Sequence, residues 1–88
     1  MWRFKTGSNL DELAAAIHSL KGKVDSLMDL EVGINFNPSD SAYDLVFTGT
    51  FENKLRLGEF EQDPYHKEIS TRVSAAKESR VVVDYEVR

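Results

Sequence analysis

The chain predicts an α+β fold of the ferredoxin-like kind, with a four-stranded antiparallel sheet and helices on one face in the order βαββαβ. Three patterns point to it: strict alternation from Met28 to Phe36, an apolar stripe at three- and four-residue spacings from Leu10 to Leu20, and a second such stripe from Tyr65 to Ala76. With 88 residues, one domain over 1–88 is expected and a second is excluded. A content of 41% hydrophobic and 30% charged residues is that of a globular chain rather than a disordered one.

Met1 to Lys5 alternates so that Trp2 and Phe4 share one face and Arg3 and Lys5 the other, which predicts a short first strand. Thr6-Gly7-Ser8 breaks it, and Ser8 with Asp11 three residues on predicts a helix cap. The stripe Leu10, Leu13, Ala14, Ile17 and Leu20 then predicts a helix over about 9 to 21, stopped by Lys21-Gly22-Lys23. From Met28 to Phe36 the even positions are apolar and Asp29, Glu31, Gly33 and Asn35 alternate with them, the signal of a strand with one buried face.

Asn37 to Ser41 is dense in turn formers and predicts a hairpin onto a third strand, Tyr43 to Phe51. Val46, Thr48 and Thr50 on its second face are small and β-branched, so a sheet covered on both faces is expected. Glu52 to Gln62 predicts a short helix with Leu55 and Phe60 as inward anchors. Asp63-Pro64 restarts it, Asp as cap and Pro at the first helical position, and Tyr65, Ile69, Val73 and Ala76 form its stripe. Val81 to Val87, rich in β-branched residues, predicts the last strand.

Composition narrows function by exclusion. Eleven Lys and Arg against fifteen Asp and Glu give a net charge of -4, the wrong sign for a nucleic-acid partner. The RNA-recognition fold shares this element order, but its third strand needs a basic start and spaced aromatics that Ala42 to Phe51 lacks. No apolar run is long enough to cross a membrane and Met1 to Lys5 is too short for a secretory leader, so a cytoplasmic chain is expected. The absence of cysteine removes disulfide and thiolate chemistry, and His18 and His66 lie too far apart for zinc-ligand spacing. No metal and no cofactor is implied. Asp29 and Glu31, two alternating carboxylates, make a poor cation site without further oxygen ligands.

His66 is the residue with chemistry to offer. It lies at a helix start, on the edge of the apolar stripe, where an imidazole serves as general base or ligand hydrogen-bond donor, or else as a packed side chain that fixes the helix. Trp2, Phe36, Phe47, Phe51 and Phe60 are candidate walls of a pocket between helices and sheet, or plain core. His18, at the margin of its stripe, is expected in solvent.

Read in order, Leu30-Glu31-Val32-Gly33, Asn35-Phe36, Pro38-Ser39-Asp40, Ala42-Tyr43-Asp44-Leu45, Phe51-Glu52 and Asp63-Pro64-Tyr65-His66 resemble the stress-responsive A/B barrel family, often shortened to Dabb. Glu78 to Tyr85 is similar to that family's last strand, so the resemblance runs over about residues 27 to 87. It implies a dimeric α+β barrel in which two ferredoxin-like chains pair sheet against sheet, with Asp29 and Glu31 facing the partner sheet opposite Arg3, Lys5 or Arg80. The family's first strand usually begins several residues earlier, often with a histidine, whereas Met1 here stands almost inside the strand. An enzymatic relative, a polyketide cyclase, uses a histidine after a Pro-x pair as base beside a tyrosine six residues earlier. His66 matches that base, Phe60 stands where the tyrosine would be, and Leu45 stands where a second histidine would be.

The resemblance thus implies a homodimer and leaves function open; with the Pro-x-His pattern and the aromatic residues, the expectation is a dimer that binds a small apolar or aromatic molecule between sheet and helices. Two alternatives remain: a small enzyme of the polyketide-cyclase or cofactor-free monooxygenase type with His66 as general base, and a purely structural, stress-protective dimer.

Overall fold

The sheet is built around one long hairpin. In a computed structural model, which describes residues 1–87, β2 (Asp29–Ile34) and β3 (Leu45–Thr50) pair antiparallel in continuous register from Asp29 opposite Thr50 to Ile34 opposite Leu45. β1 (Trp2–Phe4) meets β3 only at Trp2 opposite Leu45, and on its other side pairs with β4 (Lys77–Arg80). The order across the sheet is β2-β3-β1-β4, all antiparallel, the ferredoxin-like arrangement. Helices α1 (Leu10–His18), α2 (Lys54–Gln62) and α3 (Pro64–Ala76) each send buried side chains into one core with the sheet.

That core follows the two stripes. Leu13 and Ile17 of α1, Leu20, Val24 and Leu27 after it, Leu30 and Leu45 of the sheet, and Ile69 and Val73 of α3 are all buried, with Leu45 and Val24 only 1% exposed. Each such side chain contributes roughly 1.5–3 kcal/mol by leaving water, before ordering entropy is set against it. Pro64 occupies the first turn of α3 and Asp63 caps it, accepting from the Tyr65 and His66 N–H groups at 2.8 and 3.3 Å.

Several boundaries differ from the sequence reading. Asn9, not Ser8, caps α1, its Oδ1 accepting from the Glu12 N–H at 3.1 Å. Ser8 instead donates to the Lys5 carbonyl at 2.7 Å and closes the turn in which Gly7 takes φ +87°. α1 stops at His18, which is exposed as expected, and the chain continues in turns to Gly22, at φ +81°. The Met28 to Phe36 strand is trimmed at both ends, because Asn35 starts the loop: its Oδ1 accepts from the Asn37 N–H and its own N–H from the main chain donates to the Asp44 carbonyl, 2.8 and 2.9 Å. Met28 and Phe36 are left exposed, Phe36 fully.

In α2, Asn53 is the cap, and this sets the phase of the helix so that Leu57 and Phe60 turn inward while Leu55 is 72% exposed. The last strand is the largest correction. The Val81 to Val87 run was expected to pair; the pairing residues are the polar Lys77 to Arg80. α3 delivers the chain to β1 at Lys77, opposite Phe4, and the ladder ends where the Met1 amine and the Val81 carbonyl, and the Val81 N–H and the Met1 carbonyl, bond at 3.0 Å. Residues beyond Val81 have no strand beside them among the described residues, and Val82, Val83, Tyr85 and Val87 are exposed. Position along a neighbour decides here, against the residues' own β propensity.

Candidate functional site

His66 enters the third position of α3, where the Asp63 cap fixes its backbone and the first turn aims its ring at α2. The imidazole stacks on Phe60, centroids 4.0 Å apart and planes 27° from parallel. Phe60 is in turn 5.0 Å from Phe51 and 6.3 Å from Phe47, and Phe47 lies 6.4 Å from Trp2, which stacks on Phe4 at 6.3 Å. The fold therefore brings Trp2, Phe47, Phe51, Phe60 and His66 into one continuous run of rings along the sheet's helix-covered side. Phe36 stands outside it, in solvent on the β2–β3 loop.

Within the run, Phe60 is buried and its neighbours Trp2, Phe47, Phe51 and His66 are only partly so. Gly49 makes room for the Phe47 ring: a Cβ at that position would stand 2.9 Å from Phe47 Cζ and 3.3 Å from Leu27 Cδ1. His66 Nδ1 is buried without a hydrogen-bond partner among the described residues, an arrangement that carries a desolvation cost.

Burial holds the His66 pKa below the ordinary histidine value of 6.5, and Arg80 adds to the effect. The Phe60 carbonyl and the Asp63 and Glu61 carboxylates pull the other way, the carbonyl without reaching hydrogen-bond geometry. The ring is therefore neutral at pH 7 and able to accept a proton. Sequence reasoning set Arg80 toward a partner sheet and not at this site: it stands opposite Trp2 in the β1–β4 ladder and so on the same face, a placement hidden while the last strand was set at Val81.

No hydroxyl takes the place of the cyclase tyrosine, since Phe60 fills that position and Tyr65 points elsewhere, its OH 2.7 Å from Ser19 Oγ at the end of α1. Of the acids expected to face a partner sheet, Glu31 is exposed and Asp29 has a partner in its own chain. Asp29 pairs with Lys21 of its own chain at 3.3 Å and its pKa is lowered, first by the Leu30 N–H it accepts from and then by Lys21. Arg3 donates to the Asp40 and Ala42 carbonyls and lies 4.8 Å over the Tyr43 ring, while Lys5 donates to the Ala75 carbonyl.

Two open hollows lie away from the rings. One, about 440 Å³, sits at the end of the sheet over Gly33 and Val46, against Met1 and Tyr43. The other, about 590 Å³, runs between α1 and α3 past Glu12, Ala16, Tyr65 and Arg72. Among the described residues no helix is long and apolar enough to cross a membrane.

Comparison with known proteins agrees with this geometry. The family model for the stress-responsive A/B barrel domain matches residues 1–87. A stress-response A/B barrel domain-containing protein of Arabidopsis thaliana is 27% identical over 88 residues, 97% of this chain and 79% of that protein. The crystal structure of another Arabidopsis thaliana protein superposes with a TM-score of 0.88 at 23% identity, over 99% of this chain and 89% of the other. A dimeric protein of unknown function with a ferredoxin-like fold from Bacteroides fragilis gives 0.81 at 25% identity, over 98% and 89%. A dimeric ferredoxin-like protein of unknown function from Thermobifida fusca gives 0.86 at 13% identity, over 99% and 85%.

Proposed function

The chain belongs to the stress-responsive A/B barrel family, and from that premise we propose that it works in the cytoplasm as a homodimer that takes a small apolar or aromatic molecule between its sheet and helices, with Trp2, Phe47, Phe51 and Phe60 as walls and His66 at the contact. One observation carries the reading: an imidazole that stacks on a run of partly covered aromatic side chains and whose buried Nδ1 has no hydrogen-bond partner among the described residues. Such a nitrogen gains a hydrogen bond when a ligand hydroxyl or carboxyl reaches it, and the rings supply apolar area at little cost in side-chain entropy.

Self-association is supported by the dimeric neighbours from Bacteroides fragilis and Thermobifida fusca and by the sheet's second face, which no helix covers among the described residues and where Val46 is 38% exposed. Sedimentation equilibrium at micromolar concentration should return twice the single-chain mass; a single-chain mass removes the dimer from the proposal.

The neutral state of His66 favours a second reading, an enzyme of the polyketide-cyclase or cofactor-free monooxygenase type in which the imidazole removes a proton from an acidic C–H or O–H. A thermal-shift comparison separates these readings. Benzoate, octanoate and a short poly-β-ketone are each added to the wild type and to His66→Ala. Stabilisation by one of them that is lost in the variant supports binding at His66, and turnover of that compound by the wild type alone supports the enzyme. No shift with any compound, while His66→Ala lowers the melting temperature, leaves a structural, stress-protective role for the histidine and the dimer.

A further inference from the structure

The hollow between α1 and α3 is walled at one end by two opposite charges, Glu12 and Arg72. The helices run antiparallel there, since Ser19 at the end of α1 meets Tyr65 at the start of α3 and the hollow continues to Asn9 and Ala76 at their other ends. Glu12 lies seven residues before Ser19 and Arg72 seven after Tyr65, which sets them level with one another, two helical turns or roughly 10 Å from the Tyr65 contact. Neither takes part in an ion pair among the described residues, although they face the same hollow with opposite sign. Between the two ends the wall is low, because Ala16, one turn on from Glu12, leaves the space a longer side chain would fill. The volume of about 590 Å³ is that of a small-molecule site.

The other polar groups of the wall are already engaged. Ser8 Oγ donates to the Lys5 carbonyl and Asn9 Oδ1 accepts from the Glu12 N–H, so they serve the turn and the cap. Ser19 has one hydroxyl proton, and it goes to the Ala16 carbonyl, which can only accept. The Tyr65 hydroxyl therefore donates in its 2.7 Å bond to Ser19 Oγ, and its own oxygen is left as an acceptor. The hollow thus offers a carboxylate and a guanidinium at one end, an alanine-lined middle, and a hydrogen-bond acceptor at the other.

We propose that this hollow binds a free α-amino acid whose side chain ends in an N–H donor, with its ammonium on Glu12, its carboxylate on Arg72 and its side chain along Ala16 toward the Tyr65 oxygen. A head group with both charges on one carbon satisfies Glu12 and Arg72 together, whereas a simple acid or a simple amine leaves one of them unpaired. Only a long side chain, of lysine or arginine length, reaches from that end across two helical turns. Nothing in this site involves His66, so it stands or falls apart from the ligand proposed there.

The test titrates the 15N-labelled full chain with L-arginine, with agmatine, which lacks its carboxylate, with 5-guanidinopentanoate, which lacks its amine, and with L-norleucine, which lacks the side-chain donor. Arginine should shift the amide resonances of Glu12, Ala16, Ser19 and Arg72 saturably, with half-saturation below about 1 mM. Each of the other three should bind at least about tenfold more weakly. Glu12→Gln and Arg72→Gln, both at exposed positions, should each weaken arginine by about the same factor, and Tyr65→Phe should weaken arginine while leaving norleucine unchanged. Agmatine or 5-guanidinopentanoate binding as tightly as arginine, full affinity in Arg72→Gln, or no saturable shift at these residues overturns the proposal.

Discussion

The layer between sheet and helices has two halves of different character. Under α1, Leu13, Ile17, Leu20, Val24, Leu27 and Leu30 are aliphatic and buried throughout. Along α2 and the start of α3, Trp2, Phe47, Phe51, Phe60 and His66 are aromatic, and all but Phe60 keep part of their surface in water. The first half is closed because branched side chains fill it, none of them more than 8% exposed. The second is held by ring-to-ring contact at 4.0–6.4 Å around a histidine nitrogen that has no hydrogen-bond partner among the described residues. The first half is the closed core, and the second is where the proposed ligand contact lies.

Substitutions in the two halves sharpen this contrast. Ile17→Ala, in the closed half, should cost about 2–5 kcal/mol in urea unfolding, and Phe47→Ala, in the half-open one, clearly less; equal costs would mean that the aromatic half is also closed core. Gly49→Ala pushes the Phe47 ring from its seat and should cost about 1 kcal/mol. Gly58→Ala on α2, where a Cβ meets nothing within 4 Å, should instead stabilise by about 0.5–1 kcal/mol through helix propensity. The same melting curves check both signs.

Asp63→Ala removes the cap of α3 and should cost about 1 kcal/mol. It also removes a carboxylate that favours the charged imidazole, so the His66 pKa measured by NMR should fall further below 6.5.

The smallest effect is the dependence on pH. The folded His66 pKa lies below its unfolded value of 6.5, so the unfolded chain takes up more protons in the interval between them. The contribution of His66 to stability is therefore complete above about pH 6.5, is lost as pH falls, and levels off below the folded pKa. His66→Phe should flatten that part of the stability curve. An unchanged slope would place the titration elsewhere.

The two halves were not equally legible in the sequence. The aliphatic half follows from period alone: Leu10 to Leu20 and Tyr65 to Ala76 state which faces are buried, and alternation through Leu30 and Val32 states which side of the sheet receives them. The ring run depends on helix phase and strand register, which single residues do not encode. Leu55 looks as good an anchor as Leu57 until Asn53 is known to be the cap. Phe36 continues the alternation of β2, yet Asn35 has already turned the chain. Lys77 to Arg80 shows no strand preference of its own and becomes β4 because α3 ends beside β1. Arg80 could not be placed near His66 while the strand was set one segment too late. Asp63-Pro64 was legible because cap chemistry is local, and with it the position of His66 at the helix start.

The most direct measurement is the ring 15N spectrum of His66 during titration with benzoate and octanoate at pH 7. A binding site in the aromatic half predicts that one of the two moves the Nδ1 resonance saturably and shifts the apparent pKa of the ring, while the His18 resonances stay in place. His66 resonances unmoved by either compound, or moving in step with those of exposed His18, would contradict it.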